Sequence, residues 1–312
     1  MLPHVVRGLL CTCVLTLSTL ILCLSLVPPA LAKLLLRVAP VRAVANRVLN
    51  ALASAWVAVN NAWIAAANPA AVWDVQGLEG LNARGWYLLA CNHVSAVDIL
   101  ALQRVFHGRI PFLKFFLKRE LIWVPVIGLA WWALDFPFMR RGKTRKDMRR
   151  DLESTRRACE KFRDVPTSVM NFVEGTRVTP LKRAAERSPY RHLLKPKVGG
   201  LSVALATMGE QFEALLDVTL VYPRGTPTFW QLLCGRVDAV TVRVQRREIP
   251  GAVLGMDAAG ERARMVRQGR WLEQIWVEKD ALIESLLATS PGAPNPAPAR
   301  TAHAPPGADQ AS

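Results

Sequence analysis

His93 and Asp98 sit five residues apart in the run NHVSAVD, Asn92 to Asp98. These residue types suit proton transfer. A carboxylate that holds one imidazole tautomer leaves the other ring nitrogen free to take a proton from a hydroxyl. On an uninterrupted helix, residues five apart are rotated by about 140°, so the pair needs a bend in order to meet. The apolar run Trp86 to Cys91 reads as a strand, and Ser95 reads as the cap of a helix starting near Ala96. A chain that turns between them lets Asp98 reach back toward His93. The plain alternative is a polar strand end at His93 and a first-turn carboxylate at Asp98 facing the helix dipole.

A second run, FVEGTR from Phe172 to Arg177, follows the strand-like stretch Ser168 to Val173. Gly175 lets backbone approach a ligand closely, Glu174 can accept hydroxyl hydrogen bonds, and Arg177 offers a planar fork suited to phosphate. An ordinary surface pair between Glu174 and Arg177 is the competing reading. Taken in this order, the two runs resemble the glycerolipid acyltransferase family, which includes the 1-acyl-glycerol-3-phosphate acyltransferases. Its hallmark is an H-x4-D box followed by an F-P-E-G-T-R box. Val173 replaces the proline of the second box, which alters backbone stiffness but no polar group.

The resemblance implies His93 and Asp98 as catalytic residues, with Glu174, Gly175, Thr176 and Arg177 at the acceptor. It extends to DFPFMRR, Asp135 to Arg141, which is similar to the family's phosphate-binding G-x-x-F-x-x-R segment through Phe138 and Arg141. Asp135 stands where the family usually has Gly, and Arg140 where it often has Asp, so both Arg140 and Arg141 are phosphate candidates. VTLVYP, Val218 to Pro223, resembles a fourth segment, with Thr219 in place of the usual Pro. The implied reaction moves an acyl chain from a thioester on coenzyme A or acyl carrier protein to the 2-hydroxyl of a lysophospholipid, with 1-acyl-glycerol 3-phosphate as the expected acceptor. No metal and no cofactor beyond that co-substrate is implied.

These residues need a scaffold. Val72 to Gln76, Trp86 to Cys91, Phe136 to Met139, Ser168 to Val173, Val218 to Tyr222 and Ala239 to Gln245 read as strands. Between and after them, Ala96 to Phe106, Val126 to Ala133, Lys143 to Phe162, Val198 to Met208 and Gly260 to Leu287 carry helical spacing. The alternation predicts one α/β acyltransferase domain over 72–290, with a mixed β-sheet flanked by helices. The Pro- and Ala-rich text over 291–312 predicts a disordered tail.

Residues 1–71 are expected to anchor the domain to a membrane. Gly8 to Ala32 contains no charge and is long enough to cross a hydrocarbon layer of roughly 30 Å, whereas a cleaved signal peptide normally has a shorter apolar core. Lys33, Arg37, Arg42 and Arg47 follow that span while only Arg7 precedes it, which points the rest of the chain to the cytoplasmic side of a bacterial inner membrane. Val48 to Ala71 has Trp56, Trp63 and the pair Asn60 and Asn61. It reads as an interfacial helix or a buried one.

A net charge of +16 favours anionic surfaces, and beside a membrane segment this means lipid. Nucleic acid would call for a recognisable reading module, and none is visible. The six cysteines form neither a disulfide framework nor a zinc spacing. Two other classes remain open. One is a non-catalytic basic protein that binds anionic lipid. The other is an esterase pairing His93 with a serine such as Ser95, although no G-x-S-x-G elbow supports it. The apolar stretch Leu121 to Leu134 is a candidate acyl groove or a core segment.

Overall fold

Strand β2 (Tyr87–Cys91) is buried at every position, and its uninterrupted apolar sequence YLLAC suits a strand covered on both faces. The computed structural model describes residues 3–36, 38–124, 127–136, 138–139, 165–254 and 260–289. Among these, β1 (Val72–Gln76), β2, β3 (Leu113–Phe115), β6 (Ser168–Phe172), β7 (Ala214–Val221) and β8 (Ala239–Arg247) build a sheet ordered β1-β8-β7-β2-β6-β3. Only β7 and β8 pair antiparallel, so the sheet is mixed, as expected. A separate ladder joins β4 (Leu117–Lys118) to β5 (Phe138–Met139).

The side-chain alternation of β2 separates two cores. Tyr87, Leu89 and Cys91 face a layer containing α1 (His4–Leu35), α2 (Ala39–Ala67) and α3 (Asp98–Phe106). Leu88 and Ala90 face the opposite layer, where α6 (Gly199–Met208) contributes Leu201, Ala204 and Leu205, and α9 (Gly260–Thr289) contributes Leu272, Ile275 and Trp276. Short helices complete the described chain: α4 (Ile127–Ala133), α5 (Pro180–Ala185), α7 (Phe229–Leu233) and α8 (Gly251–Leu254).

Helices α1 and α2 are each long and apolar enough to cross a membrane. The 32 residues of α1 span about 48 Å. Pro28 and Pro29 lie inside it without ending it. Both ends of α1 rest on the same domain. His4 Nδ1 lies 3.0 Å from the Cys234 carbonyl, Arg7 donates to the Ala67 carbonyl at 2.9 Å, and Lys33 forms an ion pair with Asp135. Between those anchors Leu9, Leu17, Ile21 and Leu24 remain exposed.

Helix α2 starts earlier than expected, with a proline in its first turn. Its two central amides turn toward protein rather than lipid. The Asn60 side chain is buried and accepts from Trp63 Nε1 at 2.9 Å, the Asn61 amide oxygen is buried, and the Asn61 backbone carbonyl accepts from Arg104 of α3 at 2.9 Å. Val44, Val48 and Val59 stay exposed on α2. The expected helix over Lys143 to Phe162 and the expected tail over 291–312 lie outside the described residues, as do Arg140 and Arg141.

Candidate active site

Register brings the two boxes together. In the parallel pair β2–β6, Cys91 stands opposite Phe172, so His93 and Glu174 each follow two residues beyond the same rung. Cys91 also stands opposite Val218 of β7, which places the end of β7 on the other flank. The carboxyl ends of adjacent parallel strands are where open α/β sheets form ligand crevices. A hydrogen bond from Val178 N to the His93 carbonyl at 2.7 Å ties the second box to the first, and the His93 ring stacks on Phe172 with centroids 3.9 Å apart.

The expected bend is present. The chain leaves β2, turns through 92–97 and enters α3 at Asp98, two residues later than the start expected near Ala96. Ser95 does not cap α3 from the N-cap position, which Val97 occupies. Instead Ser95 Oγ accepts from Val97 N at 3.0 Å and donates to the Pro227 carbonyl at 2.6 Å. That hydroxyl is buried and committed to backbone, which removes it as a nucleophile for the esterase alternative.

Asp98 is fully buried, and its Oδ2 accepts from His93 Nδ1 at 2.8 Å, Val94 N at 2.7 Å and Ser95 N at 2.9 Å. Its Oδ1 accepts from the Tyr222 hydroxyl at 2.8 Å. A carboxylate holding three N–H groups and one O–H can only accept, so His93 carries its proton on Nδ1 and presents Nε2 as the basic nitrogen. Nε2 has no partner among the described residues, and the His93 side chain is 16% exposed. Burial, followed by the Asp98 charge, raises the Tyr222 phenol well above its ordinary value, so it remains a donor.

Asn92 secures the strand end that carries His93. Its side chain donates to the Leu220 carbonyl at 2.8 Å and accepts from Leu220 N at 2.9 Å, reproducing a backbone pair one step past the ladder.

In the second box, Gly175 adopts φ 70, a left-handed conformation that suits glycine, and its N–H closes a turn onto the Phe172 carbonyl at 2.8 Å. Val173 keeps an N–H that bonds the Cys91 carbonyl at 3.4 Å, a bond that the family's proline would forgo. Arg177 is exposed. Lys182, at the N-terminal end of α5, donates to Thr176 Oγ1 at 2.6 Å and to the Arg177 carbonyl at 3.2 Å, which shapes this turn.

Glu174 is fully buried, and its carboxyl lies under the His93 turn, where the His93 backbone N–H is the donor that favours its charged form, at a geometry too poor to count as a full hydrogen bond. Burial pushes this carboxyl up to about 9, the Lys279 ammonium opposes the rise, and the Asp98 carboxylate adds to it. A neutral carboxyl inside the protein avoids the cost of burying a second anion beside Asp98. Lys279, itself buried, reaches the Val218 carbonyl and Asp217 Oδ1 at 2.5 Å each and Thr219 Oγ1 at 3.3 Å. Thr219 therefore contributes a hydroxyl where the family usually has proline.

Tyr222 and Lys279 were not singled out as site residues in the sequence. Tyr222 lies inside the recognised VTLVYP stretch, but its partner is 124 residues away. Asp135, at the position where the family usually has Gly, adopts φ 57, in the left-handed region. Several cavities lie apart from the His93 turn. One of about 570 Å³ is lined by Ala30, Leu34, Ala43 and Trp132 together with Lys33 and Arg42. From the expected acyl-groove stretch, only Trp132, Ala133 and Leu134 line described cavities. Among the described residues, no group of three His, Cys, Asp or Glu side chains is placed to hold a metal ion.

Residues 72–223 match the family model described as Acyltransferase. Over 223 residues the chain is 26% identical to 1-acyl-sn-glycerol-3-phosphate acyltransferase 2 of Arabidopsis thaliana, a match covering 66% of this chain and 53% of that protein. It is 30% identical over 210 residues to 1-acyl-sn-glycerol-3-phosphate acyltransferase gamma of Mus musculus, covering 62% of this chain and 51% of that protein. The chain thus spans about half the length of the curated relatives it matches. The crystal structure of the 1-acyl-sn-glycerophosphate (LPA) acyltransferase PlsC from Thermotoga maritima superposes with a TM-score of 0.53 at 18% identity, covering 92% of this chain and 99% of that one. That likeness concerns the fold. The matches bear out the resemblance carried by the two boxes.

Proposed function

We propose, from the premise of an acyltransferase-family domain over residues 72–223, that this protein transfers a fatty acyl group from a thioester to a lysophospholipid hydroxyl. One observation carries the reading. His93 Nδ1 bonds Asp98 Oδ2 at 2.8 Å, which leaves Nε2 as a base beside the turn of the second box. The names of the curated relatives support 1-acyl-glycerol 3-phosphate as acceptor and phosphatidic acid as product.

In the proposed reaction, His93 Nε2 takes the proton of the acceptor's 2-hydroxyl as that oxygen attacks the thioester carbonyl carbon. Asp98 stabilises the imidazolium that forms. The tetrahedral intermediate collapses, the C–S bond breaks, and the departing thiolate recovers the proton from Nε2. No acyl-enzyme is needed. Arg177 supports the reading as an exposed residue one position before Val178, whose N–H bonds the His93 carbonyl, and its guanidinium is suited to the acceptor phosphate, with Arg140 and Arg141 proposed as its companions on sequence grounds. Holding the phosphate orients the hydroxyl, which itself accelerates attack. Glu174 is proposed to position the His93 turn from beneath rather than to touch the acceptor.

Membrane contact is proposed through the exposed leucines of α1. Both ends of that helix rest on one domain, so it is taken to lie along the lipid surface instead of crossing over 8–32. The positive-inside rule orients crossing helices, and for a helix lying on the surface the cytoplasmic side follows instead from the soluble thioester donors found there.

The test is a panel of lysolipids crossed with acyl-coenzyme A and acyl carrier protein donors, using purified full-length chain in liposomes and reading product mass. Transfer to 1-acyl-glycerol 3-phosphate is expected. Failure to acylate any lysophospholipid overturns the proposal.

A further inference from the structure

A second polar site lies at the same edge of the sheet as the candidate active site. Just beyond β7, on the far side of the segment that braces the His93 turn through Pro227, is a cavity of about 400 Å³. Its wall includes His4, Arg224, Gln231, Arg236 and Asp238. Arg224 and Arg236 are exposed, and neither guanidinium has a hydrogen-bond or ion-pair partner among the described residues. One carboxylate against two guanidiniums leaves the cavity positive. Two arginines left unpaired around a concave polar space suit a group with several acceptor oxygens, such as phosphate.

The surroundings identify the kind of phosphate. Helix α1 starts at this cavity with His4 and at once exposes Val5, Val6, Leu9 and Leu10. Trp230, adjacent to the lining residue Gln231, is 45% exposed and packs near Gly8 of α1. A tryptophan beside a basic pocket, with aliphatic side chains leading away from it, matches the boundary between lipid headgroups and acyl chains.

We infer that the cavity walled by Arg224 and Arg236 holds the phosphate of an anionic phospholipid of the bilayer, at a site separate from the one that binds the acceptor. The lipid's chains lie along the exposed start of α1. Such a lipid would fix how the domain sits on the membrane and keep the His93 turn facing the lipid from which its acceptor comes. The inference shares the membrane contact of the proposed function but not its chemistry.

The test is sedimentation of the full chain with vesicles of phosphatidylcholine, with and without phosphatidylglycerol, at fixed ionic strength. Neither donor nor acceptor is present, so the result is readable even if acyl transfer is never found. The double variant R224Q/R236Q is expected to lose roughly 10- to 30-fold of the phosphatidylglycerol-dependent affinity, from about one surface charge interaction per arginine. R224K/R236K should retain most of it. R262Q/R270Q removes the same charge from exposed positions on α9 and should change little. An equal loss in R262Q/R270Q would show unspecific attraction and overturn the site. Release of bound vesicles by millimolar coenzyme A, but not by dephospho-coenzyme A, would assign the pocket to the donor and overturn it as well. If R224Q/R236Q fails to fold by circular dichroism, either single variant is measured, with a proportionate loss expected and no loss overturning the inference.

Discussion

The Tyr222 hydroxyl donates to Asp98 Oδ1 at 2.8 Å, the carboxylate oxygen that His93 does not use. Asp98 thereby has both oxygens occupied in a site with no solvent access. Its carboxylate is held in one rotamer, and so is the imidazole it orients.

Tyr222→Phe removes that donor and leaves a buried carboxylate oxygen unpaired, at a cost of roughly 1–3 kcal/mol. We expect a lower unfolding midpoint in denaturant and a several-fold fall in kcat with little change in KM, since no acceptor group is touched. A change in KM alone would contradict the positioning role.

Asp98→Asn keeps the shape and can still accept from His93, Val94 and Ser95, but it removes the charge that stabilises the imidazolium. The expected fall in kcat is roughly 10² to 10⁴, typical of losing general-base assistance. Arg177→Ala should instead raise KM for the phosphate-bearing acceptor, and steady-state kinetics on both variants separates the roles.

Glu174 couples stability to pH with a defined sign. Its carboxyl rises from an ordinary value of 4.5 to about 9 in the folded protein, so the folded state binds more protons than the unfolded state between those values. Stability from this group is therefore fully present below pH 4.5 and declines as pH rises toward 9. Glu174→Gln keeps the neutral shape and should flatten that decline. Urea melts at several pH values check this, and an unchanged slope in the variant would exclude Glu174 as its source.

Asp135 combines a left-handed backbone, φ 57, with an ion pair to Lys33. Asp135→Gly relieves strain of about 1 kcal/mol while losing the pair, whereas Asp135→Ala keeps the strain and loses the pair as well. The glycine variant should be the more stable of the two by roughly that amount in thermal or denaturant melts. The reverse order would show that the backbone conformation is not strained.

Much of the frame was legible. Strands at Val72 to Gln76, near Trp86 to Cys91 and near Ser168 to Val173 occur within a residue of their expected bounds, because short runs rich in β-branched and aromatic or other apolar residues between turn residues have few other uses. Leu113–Phe115 was missed because three residues carry no period. The burial of Glu174 was not legible for a different reason. A carboxylate in a motif reads as a polar contact, and nothing local reveals that the packed layers will enclose it.

By itself the sequence determined the chemistry available: an imidazole and a carboxylate at a spacing that needs a bend, a glycine turn ending in arginine, and two long apolar helices. Only the tertiary structure decided which groups meet. Parallel register sets Cys91 opposite both Phe172 and Val218, and this brings Tyr222 to Asp98 and Lys279 beneath the site. Local sequence encodes periodicity and turn chemistry. Contacts between residues a hundred or more positions apart depend on which strands pair and which faces pack, and that is settled only when the whole core closes.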